Sequence, residues 1–162
     1  MVMIKALIGL GNIGKEYEKT YHNVGLFMAR LIEEEARVDG TMLARYEPRG
    51  YMNESGLPVS VWMKRQNLTP ADIVVIHDEG DLPIGEYKIS YGGGSAGHNG
   101  IKSLLEHLKT EDFLRVRVGI RDPHEEIRKK TMEFVLSRWS SKEEAIFADV
   151  AHSAWRELQK KQ

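Results

Sequence analysis

The 162-residue chain contains no cysteine, which excludes disulfides and thiolate metal sites together. No apolar run approaches the length of a membrane span. The opening MVMIKALIGLGN turns glycine-rich too early for a secretion signal. A cytoplasmic enzyme is therefore the expected class, with no membrane partner. Excess charge of either sign is also missing: 23 Lys and Arg against 24 Asp and Glu leave a net charge of −1. Global electrostatics thus give no pull toward nucleic acid, and any grip on phosphates must come from a local patch. What is present, 41% hydrophobic and 29% charged residues, is ordinary for a globular protein of one domain, here residues 1–162, with a sizeable core.

The charges are unevenly placed. Residues 71–86 carry Asp72, Asp78, Glu79, Asp81 and Glu86 without a lysine or arginine. Residues 115–138 carry Arg115, Arg117, Arg121, Arg128, Lys129, Lys130 and Arg138 against four acids. The plain reading of each cluster is a solvated face; the sharper one is an acidic strand end beside a basic surface.

Hydrophobic patterning gives alternating strands and helices. MIKALIGL and DIVVIHDE read as buried strands, TMLARYE as a weak one, and EYKISY and LRVRVGI as alternating ones. Helices are predicted over about 23–37, over VSVWMKRQN, over IKSLLEHL, and from about 140 to 161 with Ala145, Ile146, Val150, Ala151 and Trp155 on one side. The expected fold class is α/β: a single domain with a twisted, mixed and mostly parallel β-sheet flanked by helices.

Two stretches match G-x-G-x-x-G: GLGNIG at 9–14 and GGGSAG at 92–97. A dinucleotide cradle needs a helix starting directly after the third glycine, so that its N-terminus meets the pyrophosphate. Here Gly14 is followed by KEYEKTYHN, and helical periodicity begins only at Val24. The second copy is separated from its helix by His98 and Asn99. Both glycine runs therefore read as loops that bring polar side chains to strand ends.

Those loops carry a chemically coherent set. Asn12 and His22 follow the first strand, Asn53 follows the second, Asp78 ends the third, and His98 and Asn99 close the glycine loop. Sites in open α/β sheets form at the carboxyl ends of strands. An imidazole takes a proton from water near neutral pH, a carboxylate on its other nitrogen fixes the tautomer, and carboxamides hold a carbonyl or an oxyanion. No serine or cysteine nucleophile is required. Taken singly, each residue has a plainer role. His22 serves equally as a cap of the first helix, Asp78 as a turn or N-cap residue, and Asn53 as the cap of a helix over 54–66. Met52 is packing, and Trp62, Trp139 and Trp155 are most simply core. Asn99-Gly100 is a hairpin dipeptide, though the following residues do not alternate. The remaining histidines are scattered, so no metal site is expected. Only the conjunction of loops favours catalysis.

In their order, GLGNIGKEYEKTYHNVG, YMNESG, HDEGDLPIG, GGGSAGHNGIKS and FLRVRVGI resemble bacterial-type peptidyl-tRNA hydrolase over nearly the whole chain. The resemblance implies an α/β hydrolase that cleaves the ester between peptide and tRNA without metal or cofactor, acting as a monomer in translation. It implies His22 as base, Asp78 as its carboxylate partner and Asn12 beside them. It assigns Tyr17, Met52, Asn53, His98 and Asn99 to substrate and Arg117 to a tRNA phosphate. Since a chain of net charge −1 must grip tRNA through a local patch, Lys88, Lys102 and Arg115 are expected as further phosphate contacts. Arg121 continues that basic row if the strand stays regular. The chain departs from the family at Ile13 (usually proline), Tyr21 (usually arginine), Gly80 (usually leucine), Ser90 (often basic) and Arg121 (usually glycine). The segment before YMNESG is short, as if a strand hairpin were trimmed. Two rivals stand beside this expectation. One is a non-catalytic RNA-binding relative of the same fold, which would not need His22, Asp78 and three asparagines as a set. The other is a nucleotide-binding α/β protein, disfavoured by where the helices begin.

Overall fold

Strand β1 (Ala6–Gly9) is buried at every position, which is why its sequence is continuously apolar rather than alternating. In this computed structural model, which describes residues 2–125 and 132–162, β1 lies inside a five-stranded sheet. The order is β2 (Ala44–Arg45), β1, β3 (Ile73–Pro83), β5 (Leu114–Arg121) and β4 (Tyr87–Tyr91). All neighbours are parallel except the β4–β5 pair. The helices are α1 (Val24–Val38), α2 (Gly56–Arg65), α3 (Asn99–Leu108), the short α4 (Met132–Val135) and α5 (Ser141–Gln159). The α/β expectation is met, with a mixed sheet of which only the β4 edge runs antiparallel.

Alternate residues of β3 feed two cores. Val74 and Ile76 join Met28, Ile32, Phe147 and Trp155 beneath α1 and α5. Ile73 and Val75 join Ile8, Val59, Ile101 and Phe113 beneath α2 and α3. Helices thus cover both faces of the sheet. From β1 the chain moves outward to β2, then crosses back to β3 on the other side of β1. The carboxyl ends of β1 and β3 thus form the topological switch point, where open α/β sheets place their ligands.

Two glycines let α1 reach that point. A Cβ at Gly25 would stand 2.2 Å from the carbonyl oxygen of Ile76, and one at Gly9 would stand 2.5 Å from that of Gly25. Only bare backbone allows the start of α1 to lie directly on β1 and β3.

Several boundaries differ from expectation. β1 and β2 are shorter than the runs that signalled them, because pairing partners, not apolarity, limit a strand. β3 is longer, continuing to Pro83 beside β5 through a register irregularity after Glu79. On α5, Ala145 faces solvent, and the buried stripe is Phe147, Val150, Ala151, Ala154, Trp155 and Leu158. Trp139 and Trp155 are core, whereas Trp62 is only half-buried. Arg128, Lys129 and Lys130 lie outside the described residues. Among the described residues no helix is long and apolar enough to cross a membrane.

Candidate active site

One short 3-10 turn, Tyr21–Asn23, precedes α1. Its three residues point three ways. His22 presents Nδ1 to Asp78 Oδ2 at 2.9 Å. Asn23 clasps Asn12: its Oδ1 accepts the Asn12 backbone N–H at 2.8 Å, and its Nδ2 donates to the Asn12 carbonyl at 2.9 Å. Tyr21 turns outward. His22 therefore does not cap α1, whose N-cap is Asn23 without a side-chain cap bond.

Asp78 sits within β3, neither a turn nor a cap, and carries a second imidazole. His98 Nε2 lies 2.7 Å from Asp78 Oδ1. The side chains of His22, Asp78 and His98 are 11%, 5% and 8% exposed, so these bonds are little weakened by water. Burial alone would push the Asp78 carboxyl upward, but the imidazoles of His98 and His22 overrule it and hold Asp78 well below the usual carboxylate range. Asp78 is an anion at any working pH.

The tautomer of each histidine follows from its partners. His98 is the N-cap of α3, where Nδ1 accepts the Ile101 amide at 3.2 Å. Its hydrogen is consequently on Nε2 and is given to Asp78. His22 gives its Nδ1 hydrogen to the same carboxylate, leaving the Nε2 lone pair without a partner among the described residues. Asp78 thus serves two imidazoles, and only His22 has a basic nitrogen to spare. His22, Asp78 and His98 are also close enough in space to be considered for a metal ion. The cap weighs against it: His98 Nε2 carries a hydrogen while Nδ1 holds Ile101, so ligation would cost the start of α3 a bond.

The carboxamides have separate surroundings, since neither His22 nor Asn12 lines the cavity that Asn53 and Asn99 share. Asn12 Oδ1 accepts the Met52 N–H at 2.7 Å, which leaves its Nδ2 to donate elsewhere. Met52 is buried, its side chain filling the space over Gly100, where a Cβ would stand 2.8 Å from its Cγ. Asn53, exposed in the 3-10 turn Met52–Glu54, does not cap α2, whose N-cap is Ser55. With Asn99 and Lys102 it lines a shallow cavity of about 280 Å³. Tyr17 packs edge-on against exposed Tyr51, with ring centroids 6.2 Å apart. The loop between β4 and α3 needs its glycines: Gly92, Gly93 and Gly97 have φ of 74°, 96° and 84°.

The expected basic row is divided in its roles. Arg115 is buried, and its guanidinium donates to the Gly92 and Gly94 carbonyls at 3.0 Å each. It braces the glycine loop instead of facing solvent, unlike the exposed Lys88 and Lys102. Arg117 is partly exposed and forked onto Glu79 Oε2 at 3.0 and 2.9 Å. Arg121 is turned to the carbonyl of Glu125. Lys88, opposite Arg117 across the β4–β5 pair, and Lys102 are exposed. Asn23 and Glu79 stand beside His22 and Asp78 in the sequence, but only the fold gives them their partners, Asn12 and Arg117.

The sequence model of the family described as Peptidyl-tRNA hydrolase matches residues 6–161. The curated peptidyl-tRNA hydrolase of Ligilactobacillus salivarius is 40% identical over 162 residues, covering 90% of this chain and 86% of that protein. That of Francisella tularensis is 40% identical over 154 residues, covering 85% and 80%. The crystal structure of the peptidyl-tRNA hydrolase of Acinetobacter baumannii superposes with a TM-score of 0.79 at 28% identity, covering 98% of this chain and 88% of that one. With the sheet, the strand-end site and these likenesses in agreement, the chain belongs to the peptidyl-tRNA hydrolase family.

Proposed function

We propose that this enzyme, which hydrolyses the ester bond of peptidyl-tRNA as its family does, uses His22 as general base on water. The observation that carries the assignment is the shared carboxylate. Asp78 accepts hydrogens from two imidazoles, yet His98 has both nitrogens engaged and His22 has Nε2 free. His22 Nε2 removes a proton as water attacks the ester carbonyl, and the anionic Asp78 stabilises the imidazolium so formed. The Nδ2 of Asn12 is left to donate to the carbonyl oxygen as it becomes an oxyanion. Asn53 and Asn99 hold the peptide side from the cavity they share. Collapse expels the ribose hydroxyl oxygen of the tRNA, which takes its proton back from His22. Free peptide and free tRNA leave. No step requires a metal or cofactor.

Lys88, Lys102 and Arg117 supply the tRNA phosphate contacts, while Arg115 acts indirectly by holding the glycine loop. The enzyme works in the cytoplasm as a monomer. The decisive experiment compares hydrolysis of peptidyl-tRNA with that of unblocked aminoacyl-tRNA. Cleavage of the first but not the second supports the assignment, and a protein that binds tRNA without cleaving either is the non-catalytic relative.

A further inference from the structure

Tyr21 stands directly before His22, and its surroundings show a built anchor. Its hydroxyl lies 3.0 Å from both carboxylate oxygens of Glu143. Its ring stacks on Phe134 at 5.2 Å between centroids with 28° between planes. Burial first, then the Glu143 carboxylate, raises its pKa well above the ordinary value, so it remains a neutral donor. The backbone is fastened to the same segment: Tyr21 N–H donates to Ser137 O at 3.1 Å, and Trp139 N–H donates to Lys19 O at 2.9 Å. Glu143 is itself fixed as the third residue of the α5 capping box, where Ser140 N–H donates to its Oε1 at 2.8 Å. The capping box thus restrains the carboxylate that receives the Tyr21 hydroxyl.

We infer that Tyr21 and Glu143 are positioning residues for His22, forming the outer anchor of the catalytic turn. This rests on His22 being the base. The turn is a single one, and each residue supplies one side-chain tether: Tyr21 to α5, His22 to β3 and Asn23 to the loop after β1. Two of the tethers lie inside the site. Without the third, only the Tyr21 N–H bond to Ser137 and the ring stack on Phe134 hold the outer side of the turn, a looser restraint that lets the free Nε2 shift while substrate contacts stay in place.

Tyr21→Phe keeps the ring stack and removes only the hydroxyl. It should lower kcat by about 5- to 50-fold, less than the roughly 100-fold that a misplacement near 1 Å causes. KM and tRNA affinity should be unchanged. Glu143→Gln preserves both the capping box and an acceptor for the hydroxyl, so it should stay within about twofold of wild type, while Glu143→Ala should match Tyr21→Phe. The His22 Nδ1 proton, followed by NMR in the same variants, reads ring position independently of turnover. It should shift or broaden in Tyr21→Phe and Glu143→Ala alone. Wild-type kcat and an unmoved proton in Tyr21→Phe would overturn the inference, as would equal losses in Glu143→Gln and Glu143→Ala. A wild-type protein that fails to cleave peptidyl-tRNA sinks instead the assignment of His22 as base, with the NMR comparison still deciding the anchor.

Discussion

Asp78 is bonded to His98 as closely as to His22, at 2.7 and 2.9 Å on its two carboxylate oxygens. A carboxylate serving two imidazoles orients both. The α3 amide at Ile101, by occupying His98 Nδ1, leaves only His22 with a ring nitrogen to spare.

Replacing His22 by alanine should therefore remove the general base while leaving the tRNA surface intact. Cleavage should fall by about 10²–10⁴-fold, with tRNA affinity nearly unchanged. Single-turnover cleavage beside a binding titration checks this, and near wild-type turnover would sink the mechanism.

Asp78→Asn exchanges an anion for a neutral group able to donate. His22 then loses both the acceptor that fixes its tautomer and the charge that stabilises its imidazolium. The rate should drop less than in His22→Ala, and the fold should persist. Circular dichroism with kinetics tests both halves. An Asp78→Asn enzyme as active as wild type contradicts the shared-carboxylate arrangement.

Arg115 and Arg117 should separate cleanly. Arg117→Ala should weaken tRNA binding and reduce the log–log salt slope by about 0.7–0.9, one phosphate contact. Arg115→Gln should leave that slope alone and impair turnover, because Gly92 and Gly94 lose their brace. Equal salt slopes for wild type and Arg117→Ala would place the tRNA elsewhere.

His77 predicts a pH effect on stability. Burial first, then the neighbouring His98 imidazole, pushes it down to about 3, whereas in the unfolded chain it titrates near 6.5. Between those values the unfolded state binds a proton that the folded state refuses. Stability should fall as pH drops below about 6.5, by up to about 1.4 kcal/mol per pH unit from this group. Melting curves between about pH 6.5 and 5, above most carboxylate titrations, should show a shallower dependence in His77→Phe. Identical slopes would remove His77 from the account.

Gly25→Ala places a methyl 2.2 Å from the Ile76 carbonyl oxygen. Since backbone lies on both sides, α1 must move away from the sheet, at about 1–3 kcal/mol or more. Because the His22 turn opens α1, activity should fall with stability. Denaturant midpoints and kcat measured together check the pair, and an unaltered midpoint refutes the contact.

The alternation of strands and helices, and with it the α/β class, was determined by sequence alone. Hydrophobic periodicity is local, and buried runs such as DIVVIHDE have few other uses. Asn12, His22, Asp78 and Asn99 were legible as candidates for the same reason, since each stands at a boundary of a periodic stretch of sequence. Tertiary structure decided what no local pattern carries. The two arginines of LRVRVGI share a face of β5, as alternation requires. Yet Arg115 is drawn under the glycine loop by the Gly92 and Gly94 carbonyls, and Arg117 is held by Glu79. His98 became a second partner of Asp78 only because the N-cap of α3 meets the interior of β3, 20 residues back in sequence. Tyr21 met Glu143 across 122 residues of chain. Such pairings depend on which elements neighbour each other in the folded sheet. A sequence lists side chains along one dimension, whereas the direction of each hydrogen bond is set by packing in three.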